Sequence, residues 1–267
     1  MDPVIPDTGK LFFKVNPSLK LICFAFLFLL YLFVQNLNTM IWTTFAFSIL
    51  TLWACGLSRK WSVWFFLLTF VVSFFSASAM ILYGKGVHVL FQWALIRVTE
   101  ESLARGIQLG LRTFVFGLLG VLFASTTPPV PFFYSLMQQL KVPVRYAYGC
   151  LAAFRMLPMM IDELGHIRQA MKVRGLSRQK GIHAFYDRFL HYALGMLVQS
   201  IRRAQRTAVA MEAKRFAMKE KRTFYYQIGW SRKDVLFLAV LTLTVVSGFV
   251  LSRWLPLTPF TNVTDGY

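Results

Sequence analysis

Side chains able to hold a metal or move a proton are few in this 267-residue chain. His88, His166, His183 and His191 share no metal-ligand spacing. His183 and His191 lie eight residues apart, where one helix face would carry both as surface or interfacial residues. Cys23, Cys55 and Cys150 sit singly, and no two have C-x-x-C spacing, so neither a disulfide framework nor a zinc site is expected. A phosphate-cradling G-x-x-x-x-G-K-[ST] loop is missing, which excludes a Walker A nucleotide site on this chain. The metalloprotease and serine-hydrolase motifs H-E-x-x-H and G-x-S-x-G are missing as well. The long apolar stretches hold no conspicuous acid for a proton relay, which argues against an ion-coupled pump. Arg112 is the exception, with Glu100 and Glu101 upstream; a cation there is expected to snorkel, or to pair with one of those acids and hold a bundle together. What remains is a dense block of Lys and Arg, in which Lys172 and Arg174 close an amphipathic stretch just ahead of Gly175. Cations in a last helical turn face the negative helix end, and glycine supplies an easy left-handed cap.

The elements that position these groups belong in a membrane. Hydrophobic residues make up 57% of the chain and charged ones 15%, with 29 Lys and Arg against 11 Asp and Glu, a net charge of +18. A soluble globule of this size cannot bury so much apolar surface and carry so few charges. A nucleic-acid-binding domain can be this basic but not this apolar, so no nucleic-acid partner is expected. Disorder is excluded by 27 Phe, 10 Tyr and 7 Trp. The first apolar run starts near Leu19, exceeds signal length and has no A-x-A site, so no cleavable signal peptide is expected.

Charge-free runs locate the spans. Between Lys20 and Arg59 lie 38 uncharged residues, enough for two helices and a turn at Gln35-Asn36-Leu37-Asn38. Trp61 to Gly84 is a third span, about Leu103 to Thr127 a fourth, and Val235 to Ser252 a fifth. Residues 85–102 contain an apolar piece too short to cross, read as an outer interfacial or re-entrant segment. Gly106 and Gly110 fit G-x-x-x-G and permit a close helix contact. Lys10, Lys14 and Lys20 before the first span, and Arg59 and Lys60 after the second, put the N-terminus inside and the C-terminus outside. The chain thus divides into an N-terminal cytoplasmic flank (1–18) and four spans (19–127), followed by a basic cytoplasmic region (128–230). A final span (231–255) and an outer tail (256–267) complete it.

Between Pro128 and Lys233 lie 19 Lys and Arg and five acids, +14 of the total charge. The pattern is that of amphipathic helices near 132–140, 143–174 and 182–216, with Pro158 expected to kink the second. Positive-inside topology alone accounts for solvated basic faces; regular amphipathic helices point further, to a docking platform for cytoplasmic partner proteins. The fold class is therefore an all-α integral membrane protein with about five transmembrane helices and two to three long amphipathic helices.

Several short motifs, in order along some 220 residues, resemble the transmembrane T component of energy-coupling factor (ECF) transporters. Val15-Asn16-Pro17-Ser18-Leu19-Lys20 resembles that family's D-P-x-x-K, with Asn in place of Asp. Arg112 followed by Thr126-Thr127-x-Pro129 resembles its fourth membrane helix and T-T exit. Leu140-Lys141-Val142-Pro143, Phe154-Arg155-Met156-Leu157-Pro158 with Glu163 beyond, and Trp230-Ser231-Arg232-Lys233-Asp234 resemble further family elements. Two arginine motifs are the most specific. The first is Ala170-Met171-Lys172-Val173-Arg174-Gly175. The second, expected as A-M-E-x-R-G-[FY], reads Ala210-Met211-Glu212-Ala213-Lys214-Arg215-Phe216. Lys lacks the planar fork of Arg, so either Lys214 serves as a point charge or Arg215 takes over from a shifted helix end.

The resemblance implies a non-catalytic scaffold in a prokaryotic cell (inner) membrane. Two cytoplasmic ABC-type ATPase subunits would each receive one coupling-helix end, at Lys172, Arg174 and Gly175 and at Glu212, Lys214 and Arg215. ATP and Mg would be bound by those partners, and no cofactor by this chain. A separate substrate-binding membrane S component would carry a vitamin or a metal ion. Two other readings remain open on residues alone: a membrane enzyme acting on lipid or peptide around Arg112, Glu100 and Glu101, and a stand-alone secondary transporter.

Overall fold

A computed structural model describes residues 11–55, 58–84, 89–93, 96–174, 182–215, 224 and 227–257. Within them a 3-10 turn at Leu11–Lys14 leads to α1 (Pro17–Phe33), α2 (Leu37–Ala54) and α3 (Arg59–Tyr83). A two-stranded hairpin of β1 (Val89–Trp93) and β2 (Ile96–Thr99) precedes α4 (Glu100–Thr126), α5 (Pro129–Gln139), α6 (Val144–Val173), α7 (Ile182–Ala213) and α8 (Arg232–Trp254). The chain forms two compact units, residues 1–140 with 228–267, and residues 141–227.

The first unit is the membrane unit. Leu37–Ala54, Lys60–Tyr83, Glu101–Thr126 and Arg232–Trp254 are each long and apolar enough to cross a bilayer. The apolar α1 has 17 residues, the short end of the spanning range. Side-chain oxygens start four of these helices. Asn16 accepts from the Ser18 amide ahead of α1, where Pro17 occupies a position needing no N–H, and Asn36 accepts from the Asn38 and Thr39 amides ahead of α2. Thr99 with Ser102, and Ser231 with Asp234, close reciprocal capping boxes on α4 and α8. The core joins α1, α2, α4 and α8 through Tyr31, Met40, Phe47, Leu118, Leu122 and Phe237, all buried.

The expected G-x-x-x-G contact is present. A Cβ on Gly106 would run into Ile81, and one on Gly110 would lie 2.8 Å from the Ala77 Cβ, so α3 and α4 approach as only glycine permits. The piece expected to be interfacial or re-entrant is an antiparallel hairpin, pairing Val89 with Thr99 and Trp93 with Ile96, with a register shift between Val89 and Phe91. Val, Phe, Trp, Ile and Thr favour the pleated conformation, a preference hidden when the segment is read for charge alone.

The second unit holds α6 and α7. The 30 residues of α6 run unbroken across Pro158, whose missing N–H costs one helical hydrogen bond there. The boundary between units falls at Lys141, so α5, placed by its sequence position in the basic block, packs with the membrane helices. Phe132 of α5 stands edge-on to Phe123 of α4, with centroids 5.8 Å apart, and Ser135 is fully buried.

Candidate partner-docking site

The two arginine-type motifs close the two long helices of the second unit. Intermediate burial recurs along α6 at Met156, Met160, Glu163 and Ile167, and along α7 at Met196, Gln199, Ser200 and Arg203, the 3–4 residue rhythm of two facing stripes. Glu163 and Arg203 form an ion pair at 3.6 Å. A Cβ on Gly195 would lie 3.3 Å from Ile167. Moving along α6 from Glu163 to Ile167 therefore means moving backwards along α7 from Arg203 to Gly195, and the helices are antiparallel. Met156, Met160 and Met196 line a cavity of about 20 Å³ beside the ion pair, little more than one water.

Antiparallel packing sends the two C-termini in opposite directions. Arg174 lies eleven residues beyond Glu163 and Lys214 eleven beyond Arg203, so each basic end stands about 16 Å along its helix from the ion pair. The two ends share a backbone geometry. The Arg174 N–H donates to the Ala170 carbonyl at 3.1 Å, and the Lys214 N–H to the Ala210 carbonyl at 3.2 Å. Lys214 is thus the positional counterpart of Arg174. Arg215 occupies the next position with φ 50°, the left-handed conformation that glycine adopts freely, and its N–H bonds to the Glu212 carbonyl at 2.9 Å. Lys172, Arg174, Glu212, Lys214 and Arg215 are all exposed; Gly175 lies outside the described residues. Exposed cations at carbonyl-rich helix ends form a surface suited to acidic partners.

Arg112 does something other than pair with Glu100 or Glu101, which corrects the sequence expectation. Those acids sit eleven and twelve residues away on the same helix, about 17 Å along its axis. Instead a terminal nitrogen of Arg112 donates to the Val34 carbonyl at 2.8 Å. Gln108, one turn away, donates to the carbonyls of Val34 and Gln35 at 3.3 and 2.9 Å. Short α1 ends beside the middle of α4, and the carbonyls of its C-cap Val34 and of Gln35 just beyond take these side-chain donors. Arg112 with Gln108 is a C-terminal cap.

Three of the motifs meet at the opposite end of α4, which linear reading did not foresee. Lys20 has no exposed surface, and its Nζ donates to the Thr126 carbonyl at 2.9 Å. It is an internal strut, and its value as a topology-setting flank charge falls accordingly. The Asn16 N–H donates to Asp234 Oδ1 at 2.8 Å, while the Asn16 Oδ1 accepts from the Ser135 hydroxyl at 2.8 Å. The Ser18 N–H also donates to that hydroxyl, at 3.0 Å. Asp234 is buried, and its second oxygen accepts from the Ser231 N–H at 2.7 Å. Starts of α1 and α8, the end of α4 and the middle of α5 are thus tied into one polar joint. Ser135 carries no sequence signal; serine in an amphipathic helix reads as ordinary.

Helices long and apolar enough to span a bilayer, in one chain with two exposed cationic helix ends, define an integral membrane protein with a candidate docking surface. Residues 9–226 match the family profile of CbiQ, the cobalt transport proteins, and the chain belongs to that family. Among curated proteins it is similar to the energy-coupling factor transporter transmembrane protein EcfT of Limosilactobacillus fermentum, with 28% identity covering 89% of this chain and 91% of the relative. The protein of the same name from Staphylococcus aureus is 29% identical over 89% of this chain and 91% of its own. That of Acidaminococcus fermentans is 30% identical over 62% and 64%.

Proposed function

We propose that this chain is the coupling scaffold, or T component, of an ATP-driven ECF-type importer, multi-pass in a prokaryotic cell membrane with its N-terminus inside and C-terminus outside. One observation carries the reading: an antiparallel helix pair ends at both extremes in the same exposed cationic cap, at Arg174 and at Lys214. A pair of ATPase subunits needs two such handles, and antiparallel packing supplies them on one rigid body. Each cation would enter an acidic or carbonyl-lined groove of its ATPase, Arg174 as a planar fork and Lys214 as a point charge, with Arg215 beside it. ATP and Mg would bind between the partners, whose approach and separation would displace the helix ends. The α6–α7 pair would pass that displacement to a substrate-binding membrane S component, which selects a vitamin or a metal ion.

Co-purification with the two ATPases, together with substrate uptake, tests this directly. Arg174→Ala, or Lys214→Ala with Arg215→Ala, should weaken ATPase binding and uptake while the chain still inserts in the membrane. Full ATPase recovery and uptake in the combined variant would overturn the assignment.

A further inference from the structure

Both passages of chain between the two units are rooted on one residue ahead of α1. The exit follows α5, where the Ser135 hydroxyl donates its single proton to Asn16 Oδ1 at 2.8 Å. The Ser18 N–H donates to the Ser135 oxygen at 3.0 Å, and with the Ser135 proton committed the Ser18 hydroxyl must donate there too. The return enters α8 at Asp234, whose Oδ1 accepts the Asn16 N–H at 2.8 Å. Asn16 thus holds the exit through its side chain and the return through its backbone. All four residues are buried, so water does not compete for these bonds.

The exit is also short and stiff. Only Leu140 to Pro143 separate α5 from α6, with Lys141 held at φ 52° and the φ of Pro143 fixed by its ring. Such a connection leaves little slack in which a displacement of α6 could be lost before it reaches α5. What Asn16 contributes is an acceptor rather than its amide. The Ser18 N–H and the Ser135 hydroxyl both donate to one atom, which must therefore be the oxygen. The buried Nδ2 has no partner among the described residues.

We propose that Ser135 and Asn16 are positioning residues for the importer, passing a nucleotide-driven displacement of α6 through α5 to the start of α1. This goes beyond the coupling-scaffold reading and rests on it. While the hydroxyl bridge holds, α5 and α1 move together; without it α5 shifts alone. The complex of the full chain with its two ATPases, followed by amide hydrogen exchange with and without ATP and Mg, supplies the test. In wild type, nucleotide should change exchange at the ends of α6 and α7 and also at the Ser18 and Lys20 amides. In Ser135→Ala the response at the helix ends should persist while that at the start of α1 falls about fivefold, the shift one buried hydrogen bond supplies. Asn16→Ala should act in the same direction and guards against a misfolded first variant. Asn16→Asp, which keeps the accepting oxygen, should respond like wild type. Faster exchange at α1 with an undiminished nucleotide response would make the joint merely structural and overturn the proposal. Equal losses in Asn16→Asp and Asn16→Ala would do the same, as would a wild-type response confined to α6 and α7. A wild type in which even α6 and α7 stay silent would overturn the ATPase-docking reading itself, and this inference with it.

Discussion

Arg215 stands in a backbone conformation that suits another residue. At φ 50° an L-residue with a Cβ is strained by about 1 kcal/mol relative to glycine. Replacing Arg215 by Gly should therefore stabilise the end of α7 by about 1 kcal/mol, visible as slower amide exchange at Lys214 and Arg215. If Arg215 also contributes to docking, the same variant should bind the ATPase less well, and the opposed effects separate the two roles. Faster exchange would show that the side chain, not the backbone, holds the helix end. Lys20 makes the opposite point. Its position before an apolar run reads as a flank charge, yet its ammonium is buried against the Thr126 carbonyl. Lys20→Met should cost about 2 kcal/mol by removing a buried charge-assisted hydrogen bond, measured by thermal unfolding of the purified chain. An unchanged midpoint would mean that the joint is held by Asn16, Ser135 and Asp234 alone.

At the scale of elements, the proposed coupling role requires α6 and α7 to remain registered. Glu163 and Arg203, each about a quarter exposed, are the ion pair between the facing stripes. A half-wet pair of this kind contributes up to about 1 kcal/mol. A double-mutant cycle with Glu163→Gln and Arg203→Gln should return a coupling energy no larger than that and diminishing with added salt. A coupling of several kcal/mol would mean that the pair is desolvated when the helices are loaded. The extents of the long helices and the G-x-x-x-G contact were legible in the residues, because each rests on spacing within a few turns. The hairpin at 89–99 was not: a short apolar piece is ambiguous between strand and interfacial helix until its partner strand is known.

For the whole molecule, the second unit is an insertion whose ends are clasped together within the first. The Ile228 N–H donates to Gln138 Oε1 at 2.9 Å, and Gln139 Nε2 donates to the Ile228 carbonyl at 3.4 Å, just where the chain leaves for α6 and returns to α8. Because Arg174 and Lys214 terminate opposite ends of the helix pair and share no partner among the described residues, their effects on assembly should be independent. In titrations of the purified chain with each ATPase, Arg174→Ala and Lys214→Ala should change binding free energies additively within about 0.5 kcal/mol. Strong non-additivity would mean that both ends enter a single site. By itself the amino-acid sequence determined the medium, the helices and the two cationic motifs. Charge-free run length, helical periodicity and motif order are local properties that survive without a fold. Only the tertiary structure decided that Arg112 caps α1 and that Lys20 is internal. Each of those depends on which carbonyl or which helix lies across from the residue, and distances across a fold are not written along the chain.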